Sequence, residues 1–518
     1  MATTKRLVLH DNVIGGVDTT SPAHLIGLDK WRTQHNMRFT PTLQQTPRKF
    51  VATLSDTLSL TKPVMWIGLL PTATAGRGKL VFLTANGLYT IDGAKHATLI
   101  DDGAYHRWST ALYDGRLYYT NDINQVHVFD GNTDFVIGGS LSGRYITFWY
   151  DHLVIGALAG FSDRVAISDL YNFSVWQPDR TNEADYYDLV EWQQTDNSFT
   201  GVTGLGKLHG VLWVYTPTAI VPFTYVGLPK VIQLNEQGVL TRIGNTFPWT
   251  LVTLDIVHFF YDAMESMFFA FDGQAVEAIG EPVRKFMQDN LSTDLTQSTL
   301  MWGYVDTNNR EVWWLFVSAV SSGGIYDKAV VFNYRYKRWF TASVENYHSF
   351  CSSSQSATEI KDLTGTIGAL SGTIRQLSLN TNVTGRIYGA GSGQILQDEL
   401  SSTPTDSLLP YDDPVLETGD YHYGDIRTVK ENDAMVINAA VNDGATIQIN
   451  VAARTFLGEK AIYGNNPTST WSPKLQDALC TYAPPSGRIL RYKFVLKDAR
   501  MCTFDAFSDA VYAKTAEK

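Results

Sequence analysis

Three short stretches carry residue types that could do chemistry. Asp412-Asp413 sets two carboxylates side by side, the raw material of glycoside hydrolysis. Neighbours on an extended chain point to opposite faces, however, so this pair reads as solvated charge in a linker. Asp420-Tyr421-His422-Tyr423 offers an acid and an imidazole together, but a surface loop with one hydrogen-bonded histidine is by far the commoner arrangement and is the reading taken. G201-V-T-G-L-G206 loosely follows a dinucleotide fingerprint, but it lacks the final spacing and no helix pattern follows. The 11 histidines are scattered, and there is no H-E-x-x-H, G-x-S-x-G or P-loop. The 3 cysteines, Cys351, Cys480 and Cys502, have no metal or redox spacing and fit folding in a reducing cytosol. The expectation is a protein that is not an enzyme, with no catalytic, cofactor or metal set.

Charge offers a different kind of site. The net charge is −11, yet residues 1–50 hold Lys5, Arg6, Lys30, Arg32, Arg38, Arg48 and Lys49 against Asp11, Asp18 and Asp29, leaving the remaining chain at −15. Non-specific nucleic-acid binding requires a basic surface, which the body of this chain does not supply. Two acidic clusters stand out: Glu183, Asp185, Asp188 and Glu191, then Asp412, Asp413, Glu417 and Asp420.

The elements that must position these residues are strands. Charged residues make up only 18% and aromatics 12%, with 41 glycines, a composition that suits sheets joined by tight turns. K79-L-V-F-L-T-A-N-G-L-Y-T-I-D-G93 reads as a hairpin turning at Asn86-Gly87, and T110-A-L-Y-D-G-R-L-Y-Y-T120 as one turning at Asp114-Gly115. Runs such as V211-L-W-V-Y215 are apolar without alternation, which implies burial on both faces. Such groups recur about every 40–45 residues from about residue 60 to about 400, the period of a four-stranded propeller blade. The predicted fold is all-β: an extended N-terminal arm (1–50), a β-propeller of about seven blades (51–410) and a C-terminal β-sandwich (411–518). In the last, M435-V-I-N-A-A-V441 and T446-I-Q-I-N-V-A452 read as a hairpin, and R488-I-L-R-Y-K-F-V-L-K497 as a half-exposed strand. No signal peptide or membrane-spanning run is visible, so the chain reads as soluble and without targeting.

One stretch imitates a coiled coil. In I360-K-D-L-T-G-T-I-G-A-L-S-G-T-I-R-Q-L377, isoleucines and leucines each repeat every seventh residue. Gly365, Gly368 and Gly372 with Thr364, Thr366 and Thr373 would cost a helix on the order of 5 kcal/mol, so the repeat reads as a turn-rich β appendage.

This Ile-x-x-Leu-Thr-Gly-Thr-Ile series resembles one in phage tail nozzle and tail-hub proteins (tail tubular protein B, or packaged-DNA stabilisation proteins). G15-G-V-D-T-T-S-P-A-H-L-I26 with N36-M-R-F39 is similar to that family's N-terminal arm. F259-F-Y-D-A-M-E-S-M-F-F-A-F-D-G273 is similar to its central blade, V331-F-N-Y-R-Y-K-R-W339 to a blade ending, and E417-T-G-D420 to the opening of its terminal domain. The resemblance implies a virion protein made in the host cytoplasm and assembled as a ring, a hexamer, at the distal end of a short tail. Its partners would be an adaptor or portal-side ring and tail fibres or spikes, with DNA passing through the lumen without sequence-specific contacts. An acidic wall would repel phosphate and let the genome slide, which makes the two acidic clusters candidate lining. The basic arm would clasp a neighbouring subunit or the adaptor. Two alternatives share the architecture: a hub that closes the portal channel to retain packaged DNA, and a carbohydrate-binding host-recognition propeller. In the latter, Trp149 or Trp176 would stack on sugars, although core packing is the commoner fate of such rings.

Overall fold

A computed structural model describes residues 5–514, apart from 11–13, 54–59, 72–78, 192–200, 293–300, 322–325, 355–383, 400–411, 424–428, 441–445, 457–460, 464–468, 472–478, 482–487, 498–502 and a few single or paired positions. The heptad-like stretch 360–377 lies outside the described residues.

Local turn chemistry sets the blades. Asp114-Gly115 takes positive φ at both positions (48° and 70°), so Tyr113 pairs with Arg116 and a tight hairpin follows. At Asn86-Gly87 the expected turn is displaced by one residue. Thr84 pairs with Gly87, which makes Ala85-Asn86 the turn. Gly87 serves a close approach instead: an added Cβ would lie 2.8 Å from Lys95 and Tyr89 side-chain atoms.

Up-and-down quartets of this kind follow one another around a ring. Blade 1 spans 64–98, blade 2 109–136, blade 3 143–188, blade 4 204–241 with an extra fifth strand, and blade 5 252–278. The closing blade is built from Tyr347–Ser354, Thr384–Ala390 and Ile395–Glu399, completed by Phe50–Thr53 from the other end of the chain. Neighbouring blades share cores: Leu83 and Phe129 between the first two, Ile155 and Tyr118 between the next, then Val214 and Val154, then Phe260 and Trp213. Val64 and Phe82 of blade 1 meet Cys351 and Ile395 of the closing blade, which shuts the ring. Strands buried on both faces follow from this stacking, as in His152–Leu158 and Glu311–Phe316, where every residue is buried.

These are six self-contained blades, which corrects the expectation of about seven. A further quartet, 301–343, sits between blade 5 and the closing blade but does not end as a blade. Its last strand, Arg338–Ser343, pairs in parallel with Trp31–His35, and the sheet runs on into the C-terminal domain as nine strands.

The C-terminal region is a sandwich. One layer is the far half of that nine-stranded sheet; the other contains Val429–Ala440 and Thr503–Lys514, and between them lie Ile449, Phe494, Phe504 and Phe507. The expected 435–452 hairpin is not formed. Val429–Ala440 pairs with Thr503–Lys514, whereas Thr446–Arg454 pairs with Ile489–Lys497 in the opposite layer. Both segments carry an apolar stripe, and each stripe faces the shared core from its own side.

Candidate functional site at the propeller–sandwich joint

The segment expected to be an extended arm is built into the body of the molecule. Lys5–His10 pairs with Thr503–Lys514, and Gly16 to Thr20 run along the propeller, with Val17 N–H donating to Trp339 O (3.0 Å) and Thr19 Oγ1 to Pro282 O (2.9 Å). Trp31–His35 is then flanked on both sides: Thr33 opposes Glu417 and Gln34 opposes Leu416, while His35 meets Thr341 in parallel. Trp31 is fully buried among Phe494, Phe504 and Phe507, at ring distances of 6.0–6.3 Å. Three cations of this segment are taken up as well. Arg38 Nε donates to the buried Glu311 (3.1 Å), Arg48 to Ser343 O (2.5 Å) and Lys30 to Asp18 (3.3 Å).

All four motif segments apart from the heptad stretch meet at this joint. Trp339 lies 5.2 Å from Phe268 and its indole N–H donates to Ile279 O (2.9 Å); Phe332 lies 5.9 Å from Phe259. Asp420 N–H donates to Ala23 O (2.7 Å), and Gly419 packs so closely on Ala23 and Ile26 that a Cβ would come within 2.6 Å. Segments that stand far apart in sequence thus form one contact network.

The acidic clusters resolve into ion pairs and hydrogen bonds. Asp420 accepts from Arg491 Nε (2.8 Å) and also faces Arg454; Glu417 takes Arg491 Nη1 (3.2 Å) and the Tyr463 hydroxyl (3.1 Å). Asp413 pairs with Lys497, and Asp412 accepts from the Ser343 hydroxyl near His35. His35 and Ser343 together hold the Asp412 carboxyl down to about 2. In the other cluster Asp188 forms a fork with Arg164 (2.6 and 2.7 Å). Asp185 accepts from the backbone N–H groups of Val231 and Ile232 (3.0 and 3.2 Å), tying blade 3 to blade 4. Glu183 accepts from the Tyr225 hydroxyl (2.5 Å). Glu191 ends a short 3-10 turn, Leu189–Glu191, and its side chain lies outside what the structure describes.

The other stretches singled out for chemistry are likewise structural. Asp420 is a counter-ion for two arginines, and Tyr421 is buried beside it. Asp412 and Asp413 face different partners. Gly204–Leu208 is the first strand of blade 4. Trp149 and Trp176, the candidate sugar platforms, are buried, and the Trp149 indole donates to Gly210 O (2.9 Å).

Sequence reasoning missed the ring's axis. A cavity of about 340 Å³ is lined by first strands of successive quartets, including Thr110, Tyr145, Lys207, Thr253 and Gly303. A wider cavity of about 870 Å³ opens beside it, bordered by Asp122, Arg144, Val202, Phe247 and Met264. At its rim His106 sits between Asp102 and Asp122 (both 3.0 Å), and Asp122 also takes Arg144 (3.0 Å). Burial opposes the proton on His106, but the two carboxylates outweigh it and raise its pKa. These partners are 4 and 16 residues from His106, a spacing without any motif signal. Among the described residues no group of three or more His, Cys, Asp or Glu is arranged to hold a metal ion, and no helix is long and apolar enough to cross a membrane.

No family model matches the chain, and no curated protein matches it. Among similar solved structures are a chain of a mitotic checkpoint complex (TM-score 0.36, 9% identity, 68% of this chain and 95% of that one), YCF48 bound to D1 peptide (0.33, 11%, 70% and 99%) and the computationally designed Ika8 protein (0.34, 8%, 67% and 99%). At these values they add nothing to what the sheet topology shows.

Proposed function

We propose that the chain is a structural virion protein of a short-tailed phage, a subunit of the ring-shaped nozzle through which DNA leaves. One observation carries the reading: segments 15–26 with 36–39, 259–273, 331–339 and 417–420, each similar to a nozzle or hub segment, converge on one joint between propeller and sandwich. A continuous nine-stranded sheet across that joint makes the two domains one stiff body, as a wall subunit of a conduit requires. The net charge of −11 favours passage of a polyanion without adhesion. The residues singled out for chemistry are bound up in packing and ion pairs, and the glycan reading loses the two tryptophans that motivated it.

The test is symmetry-resolved electron microscopy of the particle that contains this chain. A closed ring of about sixfold symmetry at the distal tail is expected; absence of the chain from purified tails sinks the reading, and a ring at the portal mouth replaces nozzle by hub. Deleting residues 1–40 cannot test attachment, because it removes the strand Trp31–His35 that joins the two sheets. That deletion is expected to yield insoluble or unfolded protein by circular dichroism.

A further inference from the structure

In an up-and-down quartet the first and third turns lie at one end of the blade, opposite the end where the axial cavity widens. At that first end blade 3 breaks a local rule. Its opening hairpin has a two-residue turn between Trp149 and His152, with Tyr150 and Asp151 both at positive φ (45° and 60°). Blades 2 and 4 meet the same requirement with a glycine, in Asp114-Gly115 and His209-Gly210. A bulky aromatic at positive φ is strained, and Tyr171 in the next turn of blade 3 is held there too (54°).

The strained side chains are displayed. Tyr150 is 54% exposed, Tyr171 65% and Tyr225, at the end of the third strand of blade 4, 36%. Tyr150 and Tyr225 lie 5.3 Å apart with Trp149 buried beneath them. Their surroundings fix their orientation. Tyr171 and Tyr113 hydroxyls donate to the two oxygens of Asp151 (2.8 and 3.0 Å), and the Tyr225 hydroxyl donates to Glu183 (2.5 Å). A phenol that donates to a carboxylate has an electron-richer ring, which strengthens attraction for a cation on its face.

The carboxylates differ from those at the joint. Among the described residues neither Asp151 nor Glu183 has a lysine or arginine within ion-pair distance; Glu183 has the buried His152 imidazole 3.3 Å away. Asp114, Asp169 and Asp179 add negative charge at the same end, against Arg116, Arg180 and Lys230, whose ammonium lies 5.6 Å over the Tyr187 ring. Preorganised rings beside half-buried, uncompensated carboxylates are complementary to an organic cation.

We propose that the patch formed by Tyr150, Tyr171, Tyr225, Asp151 and Glu183 is a docking site for an arginine- or lysine-bearing segment of a partner protein. The cation lies against the tyrosine rings and pairs with the two carboxylates, while Leu170, Val226 and Leu228, all exposed, flank the segment's apolar atoms. A neutral glycan could stack on the same rings but makes no use of the uncompensated charge. The proposal stands independently of the nozzle reading.

The full-length protein is titrated calorimetrically with a short Arg-Gly repeat peptide, its Glu-Gly counterpart and a neutral maltooligosaccharide, at low and high salt. The expected result is binding of the Arg-Gly peptide alone, weakened by salt. The double variant Asp151→Asn/Glu183→Gln should bind about tenfold more weakly, and Tyr171→Ala severalfold more weakly, with melting temperatures near the parent's. Absence of Arg-Gly binding, unchanged affinity in the double variant, or binding of the oligosaccharide instead overturns the proposal. Should a variant misfold, hydrogen exchange on the unmodified protein decides. Peptide-induced protection confined to 149–152, 168–184 and 224–231 supports the site, and protection elsewhere refutes it.

Discussion

The joint and the turn face of blade 3 hold the same kinds of residue in opposite states. At the joint, Asp420 and Glu417 share Arg491, Arg454 backs Asp420, and the arginine side chains are at most 8% exposed. At the turn face, Asp151 and Glu183 lie half-buried with no guanidinium or ammonium in ion-pair distance among the described residues, beside Tyr150 and Tyr171 held at costly φ. A buried ion is tolerated only when its partner is present, so the joint must be complete within the chain. Half-buried charge that still reaches solvent, beside fixed rings, costs less and leaves a surface incomplete by itself. The difference separates what holds this fold together from what it presents outward.

The contrast breaks first, if it breaks, at Arg491. Arg491→Ala takes the guanidinium from Glu417 and leaves Asp420 with Arg454 alone in a low-dielectric setting, and is expected to destabilise by about 3–5 kcal/mol, read from the urea midpoint. A cost below about 1 kcal/mol would mean the joint is no more demanding than the surface.

A buried imidazole gives the next largest effect. His258 Nε2–H donates to Lys207 O (3.0 Å), which leaves Nδ1 to accept from the Tyr215 hydroxyl (2.9 Å). Burial pushes its pKa down to about 4. The unfolded chain takes up a proton near the ordinary 6.5, whereas the folded chain keeps the ring neutral, so stability is complete above 6.5 and lost as pH falls towards 4. The expected loss is roughly 3 kcal/mol across that window, and His258→Asn should make the profile of melting temperature against pH shallower, the buried His348, pushed down to about 3, still contributing in the same direction.

The smallest effect belongs to the turn face. Asp151→Asn keeps one oxygen to accept from a tyrosine hydroxyl and turns an amide N–H towards the other, which can itself accept, while removing the charge, and should change stability by less than about 1 kcal/mol. A larger loss would make Asp151 structural and erase the contrast.

Much of the propeller was legible. Asp114-Gly115 announced its turn, and the non-alternating V211-L-W-V-Y215 announced a strand buried on both faces. The displaced turn at Ala85-Asn86 was not, because Gly87 is required by neighbours from the adjoining strand and not by its own φ. The quartet 301–343 reads like any other blade, since nothing in Arg338–Ser343 states that its free edge will accept a strand about 300 residues earlier in the chain. The acidic clusters were visible as composition, but their meaning lay with Arg164, Arg491 and Lys497, which are 24, 71 and 84 residues from Asp188, Asp420 and Asp413.

By itself the sequence determined turns such as Asp114-Gly115 and strands sandwiched like Val211–Tyr215, because two residues' φ and a run of apolar side chains are local properties. Only the tertiary structure decided that the first fifty residues form a seam and not a free arm, that one quartet continues into a second domain, and which carboxylates keep an unmatched charge. Those outcomes depend on which distant edges and ions meet once the ring has closed, and spacing along the chain carries no record of that.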